Sequence, residues 1–287
     1  MIDHKSILIT GGAGFFGKAF TKFLLEKTNV ERICIYSRDE WKQAEMKAEI
    51  SDPDLRIRYL VGDIRDQSRL ARAMRGVDTV VAAAALKRIE VGNYAPDEMV
   101  KTNVIGAMNI IDAAYQSGVK KVVQLSTDKA WGGGVSPYGQ SKALAESLYL
   151  NANNIYGEAG PQYSVCRYGN IFNSRGSILP TWKKMIANGA SEVPVTDPEC
   201  TRFFMTIDEA VKLVIDTLIT MRGGELIIPE WLPAFAVGDL ATALNVKIKV
   251  IGLPAWERRH EGMRDDLTSD KARRMTVEEL REMLKDV

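Results

Sequence analysis

The sequence has few cysteines, no long apolar run and no excess of either charge. Cys34, Cys166 and Cys200 are far apart and odd in number, so they match neither a metal site nor a disulfide framework. Lys and Arg total 38 against 37 Asp and Glu, and this balance argues against a general role on nucleic acids or membrane surfaces. No secretory signal or membrane span is visible, so we expect a cytoplasmic protein with reduced, packed cysteines and no metal.

The order of apolar segments predicts the fold class. The chain has 287 residues, 46% of them hydrophobic, which is enough for one large domain and a smaller one. Strand-like and helix-like runs alternate up to about residue 157, which is typical of a doubly wound parallel sheet. We therefore predict an α/β, Rossmann-type domain over residues 1–160. Residues 161–287 should form a smaller mixed portion, with some segments returning to the main sheet.

A glycine-rich turn follows the first predicted strand. Ser6 to Thr10 is a short apolar run, and Gly11 to Gly17 leads from it into a helix-like segment. Gly12, Gly14 and Gly17 form G-x-G-x-x-G in the strand–turn–helix context that dinucleotide sites require. A merely structural turn is the alternative, but this position favours a pyrophosphate at the helix N-terminus.

The residues after the second strand indicate which dinucleotide binds. The run Arg32 to Tyr36 is followed by Ser37 and Arg38, with Lys42 one turn further on. An NAD site would place an acidic residue here to hold the ribose 2′-hydroxyl. A hydroxyl and two cations suit a 2′-phosphate instead, so we predict NADP. The alternative is a solvated helix start whose cations pair with neighbouring carboxylates.

Further candidate binding residues follow the next strands. Asp63 comes after Ile57 to Val61 and can accept a hydrogen bond from an adenine amino group. The small residues of 82–85 would let a cofactor lie against the backbone, and Lys87 and Arg88 follow them. Ligands of such sheets bind outside the carboxyl ends of the strands, so these side chains should meet at one edge.

The stretch from Leu125 to Lys142 carries the candidate chemistry. Thr127, Asp128 and Lys129 follow a strand-like run, and Tyr138 and Lys142 stand at i,i+4, on one face of a helix. A cation beside a phenol favours the phenolate, so Tyr138 can exchange a proton with an alcohol. The alternatives are helix-surface pairing for Tyr138–Lys142 and a surface salt bridge for Asp128–Lys129.

Several blocks together resemble the extended short-chain dehydrogenase/reductases, and within them the C5-inverting UDP-N-acetylglucosamine 4,6-dehydratases. The blocks are T-G-G-A-G-F-F-G from residue 10, Y-S-R-D-E from 36, S-T-D-K-A from 126, Y-G-Q-S-K from 138, R-Y-G-N from 167 and S-R-G-S from 174. These blocks are distributed over most of the range from residue 5 to residue 230. The resemblance implies a homo-oligomeric enzyme that binds a nicotinamide cofactor and a nucleotide sugar.

The resemblance also assigns residues to each role. Thr127 would bind the sugar O4, Asp128 would act as acid toward the C6 hydroxyl, Lys129 would take the C5 proton, and Tyr138 with Lys142 would oxidise C4. NADP would be bound by Gly11, Ala13, Gly14, Phe15, Phe16, Gly17, Ser37, Arg38, Lys42, Asp63, Ile64, Ala83, Lys87, Tyr138 and Lys142. The substrate would be bound by Lys87, Asn170, Ser174, Arg175, Thr196 and Arg202.

Two departures from the family pattern bear on the site. Near the carboxyl terminus, Pro254 stands where the family has a diphosphate-binding arginine, and Arg258 or Arg259 is the candidate replacement. The loop from Trp131 to Pro137 is one residue longer than usual and begins with three glycines after the tryptophan. We hypothesise that this loop closes over the sugar, with Trp131 beside it; the alternative is that Trp131 is a packing residue.

These observations predict an NADP-dependent nucleotide-sugar 4,6-dehydratase. A C5-retaining dehydratase would use the same residues. A sugar C4-epimerase or reductase would share the fold without needing the Asp128–Lys129 pair. A non-catalytic NADP sensor would have no use for an intact Tyr138–Lys142 pair.

Overall fold

The computed structural model describes residues 5–174 and 176–285. Its strands are β1 Ser6–Thr10, β2 Arg32–Ser37, β3 Ile57–Val61, β4 Thr79–Ala82, β5 Lys121–Thr127, β6 Gln162–Tyr168, β7 Asn170–Ile171, β8 Glu192–Val195, β9 Thr201–Met205, β10 Leu226–Ile227, β11 Ala234–Ala236, β12 Lys247–Val250, β13 Gly262–Arg264 and β14 Leu267–Thr268. The centre of the fold is a seven-stranded parallel sheet with the order β10-β6-β5-β4-β1-β2-β3.

Helices cover both faces of this sheet. The helices of the described residues are α1 Phe15–Lys27, α2 Glu40–Glu49, α3 Gln67–Ala73, α4 Ile89–Tyr94, α5 Pro96–Met99, α6 Gly106–Gln116, α7 Pro137–Tyr156, α8 Ile178–Ala187, α9 Ile207–Thr220, α10 Val237–Ala243 and α11 Val277–Met283. Of these, α8, α10 and α11 pack in a separate apolar cluster outside the sheet. Apolar side chains of the strands are buried on both faces against the helices that cover the sheet. This double burial is why the strands are continuous apolar runs, and it confirms the predicted Rossmann-type fold.

Segments beyond residue 160 contribute both to this sheet and to separate small sheets. β6 and β10 extend the parallel sheet at one edge. The remaining strands form the sheets β11-β9-β7, β12-β8 and β13-β14. A third apolar cluster, which includes Trp182 and Phe204, packs α8, α10 and α11 against β8, β9 and β11. The division of the chain at residue 160 stays a prediction.

Apolar periodicity predicts one long helix over residues 97–116, and the structure differs from this. It is divided into α5, a π-helical turn Val100–Ile105, and α6. Within the turn, the Asn103 amide nitrogen donates to the Leu86 carbonyl and to Ser141 Oγ, both at 2.9 Å. The Leu86 N–H donates back to Asn103 Oδ1 at 2.9 Å. The wider turn thus joins the loop after β4 to α7, a tertiary demand that apolar periodicity does not record.

None of the helices in residues 5–174 and 176–285 is both long and apolar enough to cross a membrane. The three cysteines are free and buried, as the sequence predicts. Burial raises the pKa of Cys166 to about 12, so this thiol is protonated and packs as a small apolar group.

Candidate active site

The glycine loop forms a tight bend between β1 and α1. Gly11 has φ of +66°, and a Cβ there would lie 2.9 Å from the Ala84 Cα atom. A Cβ on Gly17 would lie 2.2 Å from the Gly12 carbonyl oxygen, so α1 can begin this close to the strand only with glycine. Phe16 is buried and stacked on Phe20, so it would meet a ligand only through its backbone.

The end of β2 presents the predicted phosphate-binding group. The Arg38 side chain is 51% exposed and lies 3.6 Å from Asp63 Oδ2. Lys42 Nζ forms an ion pair with Asp39 at 2.8 Å, as the solvated-helix alternative expects, and the Lys42 N–H is capped by the same carboxylate. Ser37 Oγ accepts a hydrogen bond from Gln43. Arg38 therefore remains the most available cation of this group.

Asp63 and its neighbours lie at the end of β3. Burial alone would raise the pKa of Asp63, but hydrogen bonds from Arg65 and the charge of Arg38 lower it. Ile64 is buried, and its carbonyl accepts from Asn109 at 2.9 Å. Ala83 lies just beyond β4. The run of small residues predicts that this strand continues to Ala85, but it ends at Ala82. Contacts of these residues with adenine or nicotinamide stay predictions.

Thr127, Asp128 and Lys129 form a buried hydrogen-bonded group where β5 ends. Thr127 Oγ1 donates to Asp128 Oδ1 at 2.9 Å, and Lys129 Nζ approaches the same oxygen at 3.1 Å. Asp128 is completely buried, and its Oδ2 has no hydrogen-bond partner among the residues that the structure describes. Lys129 Nζ also donates to Asn170 Oδ1 at 3.2 Å. The pair is therefore interior, which excludes a surface salt bridge.

Burial and neighbouring charges set the ionisation of this pair. Burial raises the pKa of Asp128, and the charge of Lys129 offsets this only in part. Burial alone would lower the pKa of Lys129, but the charges of Asp128 and Glu261 outweigh it and raise that pKa. Burial thus favours the protonated form of Asp128, while the neighbouring carboxylates favour the ammonium form of Lys129, which must lose a proton before it acts as a base.

Tyr138 and Lys142 lie one turn apart at the start of α7. Ser136 caps this helix by accepting from the Gly139 N–H at 3.1 Å, and Pro137 occupies its first turn. Burial raises the pKa of Tyr138 to about 12, against opposing effects of Lys129 and a hydrogen bond with Thr127. The charge of Lys129 is thus one cation that favours the Tyr138 phenolate, and the predicted action of Lys142 on the phenol stays a prediction.

Lys142 instead points toward the sheet. Its Nζ donates to the Leu125 carbonyl at 2.6 Å, and burial lowers its pKa to about 8 despite the carboxylate of Glu146. Glu146 in turn accepts from Arg167 Nε at 2.9 Å. Lys142 is thus held between β5 and α7, where it can change charge near neutral pH.

Three of the predicted substrate-binding residues, Lys87, Asn170 and Arg202, lie near Lys129. Asn170 contacts its amine, and burial together with the charge of Lys129 lowers the pKa of Lys87. Arg202 is 8% exposed and paired with Glu257 and Glu261. Ser174 is buried, and Thr196 is half-buried after β8. Arg175 lies outside the described residues.

Glu261 is a site residue that sequence reasoning did not assign. It is 3% exposed, and its Oε1 lies 3.3 Å from Lys129 Nζ and 3.9 Å from Arg202 Nε. The available signal was the sequence near the carboxyl terminus, where His260 and Glu261 match the family pattern although Pro254 does not. No local spacing connects it with Lys129, because the contact joins distant parts of the chain.

The Trp131 ring packs against this carboxyl-terminal segment. A Cβ on Gly262 would lie 2.4 Å from the ring, and Trp131 Nε1 donates to Asp265 at 3.2 Å. The Arg258 guanidinium covers the other face, 4.7 Å from the ring centroid. The structure therefore matches the packing alternative for Trp131, and closure of its loop over a sugar stays a prediction.

A cleft opens beside Lys129 with about 340 Å³ of space. It is lined by Ile89, Lys129, Val135, Ser136, Arg202, Trp256, Glu257, Arg258 and Glu261. Arg258 Nη1 is buried there and has no hydrogen-bond partner within residues 5–174 and 176–285. Arg259 instead forms an ion pair with Asp197 at 2.9 Å. Of the two candidate arginines, only Arg258 lines the cleft with an unused donor.

Comparisons with known proteins agree with this geometry. A family described as polysaccharide biosynthesis protein matches residues 7–281. The UDP-N-acetylglucosamine 4,6-dehydratase (inverting) of Campylobacter jejuni subsp. jejuni serotype O:2 is 47% identical over 265 residues, 92% of this chain and 78% of that protein.

Two solved structures have the same fold. Pen from Bacillus thuringiensis superposes with a TM-score of 0.92 at 31% identity, over 100% of this chain and 99% of its own. DesIV, a dTDP-glucose 4,6-dehydratase from Streptomyces venezuelae with NAD bound, has a TM-score of 0.80 at 21% identity, over 98% and 96% of the two chains. The chain belongs to the polysaccharide biosynthesis protein family, within the extended short-chain dehydrogenase/reductases.

Proposed function

We propose that this chain is an NADP-dependent UDP-N-acetylglucosamine 4,6-dehydratase that inverts C5. The observation that carries the proposal is the buried Thr127–Asp128–Lys129 group beside Tyr138. A plain reductase or C4-epimerase needs an alcohol–ketone exchange at C4 but no second acid–base pair. Elimination of water across C5 and C6 needs both an acid and a base, and this group supplies one of each.

The residues around the glycine loop fit a dinucleotide. The loop can bend this tightly between β1 and α1 only because Gly11 and Gly17 lack side chains, and Arg38 offers an exposed guanidinium beyond β2. These features favour NADP over NAD. When bound, the nicotinamide cofactor supplies the chemistry of accepting a hydride from C4 and returning it at C6.

Tyr138 carries out the first proton transfer. Its phenolate would remove the O4 proton of the sugar, while Thr127 holds that oxygen. Because burial raises the pKa of the phenol to about 12, the phenolate needs the nearby cations of the site to form. Lys129 is one such cation, and Lys142 is another once it turns from the Leu125 carbonyl.

Asp128 and Lys129 carry out the elimination. The C4 ketone makes the C5 hydrogen acidic, and Lys129 removes it as a neutral amine. Asp128 gives its proton to the C6 oxygen, which leaves as water. The unpartnered and buried Oδ2 of Asp128 is the atom free to hold that proton. Adjacent groups of opposite function explain why carboxylate and amine lie side by side.

Cations around the cleft suit a nucleotide diphosphate. Lys87 and Arg202 flank Lys129, and Arg258 has a buried donor without a partner. We propose Arg258 as the diphosphate contact that replaces the family arginine at Pro254. Asn170, Ser174, Arg175 and Thr196 complete the proposed substrate site.

The protein is proposed to act as a homo-oligomer in the cytoplasm. Met108 and Tyr115 on α6, with Ile105 just before it, and Leu144 and Ile155 on α7 are exposed along two neighbouring helices. Such a contiguous apolar face suits a second copy of the same surface. Free, buried cysteines agree with a reducing compartment. We keep residues 1–160 as the cofactor domain and 161–287 as mainly the substrate portion.

The product identifies the reaction. Incubation of the NADP-loaded protein with UDP-N-acetylglucosamine should yield a 4-keto sugar nucleotide lighter by one water, seen by mass spectrometry. Nuclear magnetic resonance of the hexose then gives the C5 configuration and separates inversion from retention. A product of unchanged mass with inverted C4 would assign an epimerase instead, and no turnover of any nucleotide sugar would favour an NADP sensor.

A further inference from the structure

The Lys129 amine contacts three acceptors, and one of them has no role in the mechanism above. Asp128 Oδ1 lies at 3.1 Å, Asn170 Oδ1 at 3.2 Å and Glu261 Oε1 at 3.3 Å from Nζ. Asp128 and Glu261 are both buried. A buried carboxylate is costly unless it is paired, so the position of Glu261 beside this amine requires an explanation.

Lys129 has a difficulty as the C5 base. An amine that receives a proton must first be neutral, yet the two carboxylates beside Lys129 stabilise its ammonium form. Asp128 cannot relieve this charge if it already holds the proton that goes to the C6 oxygen. Asn170 offers a neutral oxygen that accepts a hydrogen bond but not the proton. Glu261 is the remaining carboxylate in contact with Nζ.

We propose that Glu261 accepts a proton from Lys129 and thereby prepares the amine to remove the C5 proton. In this step the N–H bond of Lys129 breaks as an O–H bond forms on Glu261. An ion pair becomes a neutral pair, and no electrons are transferred. Glu261 acts on the substrate only through Lys129, so it is a positioning residue. The inference rests on the proposed dehydratase function.

The fold holds Glu261 in place from both sides. The Glu261 N–H donates to Ser269 Oγ at 2.9 Å. The next residue, Gly262, packs against the ring of Trp131. Trp131 is two residues after Lys129 in the chain. Arg167 donates to the Met263 carbonyl at 2.5 Å. The segment that carries the carboxylate is thus fixed to the segment that carries the amine.

Other charged groups face the pair and bias the transfer. Arg202, from β9, lies 3.9 Å from Glu261 and is also held by Glu257. Lys87 approaches Lys129 from the loop after β4, and the Tyr138 phenol faces it from α7. The charges of Arg202 and Lys87 disfavour the ammonium form of Lys129 and so favour release of its proton. The charge of Arg202 also stabilises the Glu261 carboxylate, so it limits how long Glu261 keeps the proton.

The test is the pH dependence of kcat in Glu261→Gln, measured from pH 6 to pH 10 with NADP and UDP-N-acetylglucosamine. Without the acceptor, Lys129 must lose its proton to solvent. We expect kcat near neutral pH to fall roughly 10²-fold, with recovery of about tenfold per pH unit as the pH rises. The profile of the wild-type protein should be much flatter in this range.

Matched variants separate a proton role from a structural one. Asp266→Asn removes an exposed carboxylate from the same segment and should leave the profile unchanged. Glu261→Asp restores a carboxylate with shorter reach and should lower kcat without tilting the profile. In a single turnover, Glu261→Gln should still form reduced cofactor at the wild-type rate, because Tyr138 carries out that step.

The outcomes are distinct. A Glu261→Gln profile that is lowered equally at every pH, or that is unchanged, overturns the proposal. If Glu261→Gln does not fold, Glu261→Asp decides, because an unchanged kcat in that variant contradicts a distance-dependent transfer. If the wild-type protein itself releases no water from the substrate, the proposed function fails and not this inference alone.

Discussion

The glycine loop and the acid–base cluster lie at the same edge of the sheet, but different contacts hold them there. The glycine loop consists of consecutive residues, and Gly11 and Gly17 pack against backbone atoms of Ala84 and Gly12. The acid–base cluster, which we define as Asp128, Lys129, Arg202 and Glu261, joins β5, β9 and the segment before β13.

This difference shows where sensitivity to mutation should lie. The glycine loop depends on the absence of side chains at single positions, so one added Cβ at such a position should disturb it. The acid–base cluster depends on charges brought together from distant segments and kept from water. Removing one charge therefore changes the protonation of the others, and changing the contact between segments moves a charge without deleting it.

The largest expected effect comes from deleting the base of the acid–base cluster. Lys129→Ala should lower dehydration by roughly 10²- to 10⁴-fold, the range for general acid–base catalysis. NADP affinity should be retained, since the glycine loop is untouched. Stopped-flow absorbance of the reduced cofactor and mass spectrometry of the product measure the two half-reactions separately. A variant that still eliminates water at close to the wild-type rate removes Lys129 as the base.

A smaller loss is expected from separating the two segments without removing a charge. Gly262→Ala places a Cβ 2.4 Å from the Trp131 ring, and such overpacking costs about 1–3 kcal/mol. Glu261 should then withdraw from Lys129, and kcat should fall while NADPH affinity stays constant.

A double variant provides the control for this change. In a Trp131→Ala background the ring is gone, so Gly262→Ala should cost less than it does alone. Coupling of this kind is measured by a double-mutant cycle. Additive effects of the two substitutions on kcat would show that the Trp131–Gly262 contact does not position the cluster.

The corresponding change on the cofactor side is Arg38→Ala. It should weaken NADPH binding by about 1.5–3 kcal/mol, the range for hydrogen bonds to a charged group, and change NADH binding little. Fluorescence titration with NADPH and with NADH compares the two affinities. Lys42→Ala is the control variant, because Lys42 is a neighbouring cation already paired with Asp39. Equal losses for both cofactors would contradict a 2′-phosphate contact at Arg38.

The smallest effect is expected in the loop that separates the acid–base group from Tyr138. Gly133 has φ of +79° and open space around it, whereas a Cβ on Gly134 would lie 2.3 Å from the Gly139 backbone. Gly133→Ala should lower the free energy of unfolding by about 1–2 kcal/mol, the cost of a left-handed conformation.

Gly134→Ala is the matched comparison for that variant. It should cost more in thermal unfolding, because it combines strain with a collision. Equal costs would mean that this loop is held more loosely than its contacts indicate. Hydrogen exchange with and without the UDP-sugar tests closure over the substrate, since added protection across residues 131–136 is required for that hypothesis.

The parts of the site that follow from local spacing could be predicted. The Tyr138–Lys142 pair follows from a helical interval, and the glycine loop from a strand followed by a motif. The Glu261–Lys129 contact could not be predicted, because no period or spacing connects residues so far apart. The ionisation of Lys129 was also out of reach, since it depends on burial and on two carboxylates at specific distances. The π-helical turn at Asn103 reflects a tertiary contact in the same way.

The most direct test of the account is turnover of UDP-N-acetylglucosamine in D₂O. Removal of the C5 proton by Lys129 and its replacement from solvent predict a 4-keto product that is lighter by one water and carries deuterium at C5. The hydride that reaches C6 should come from C4 of the same sugar and therefore stay unlabelled by solvent. A product without loss of water, or a dehydrated product with no deuterium at C5, would contradict the account.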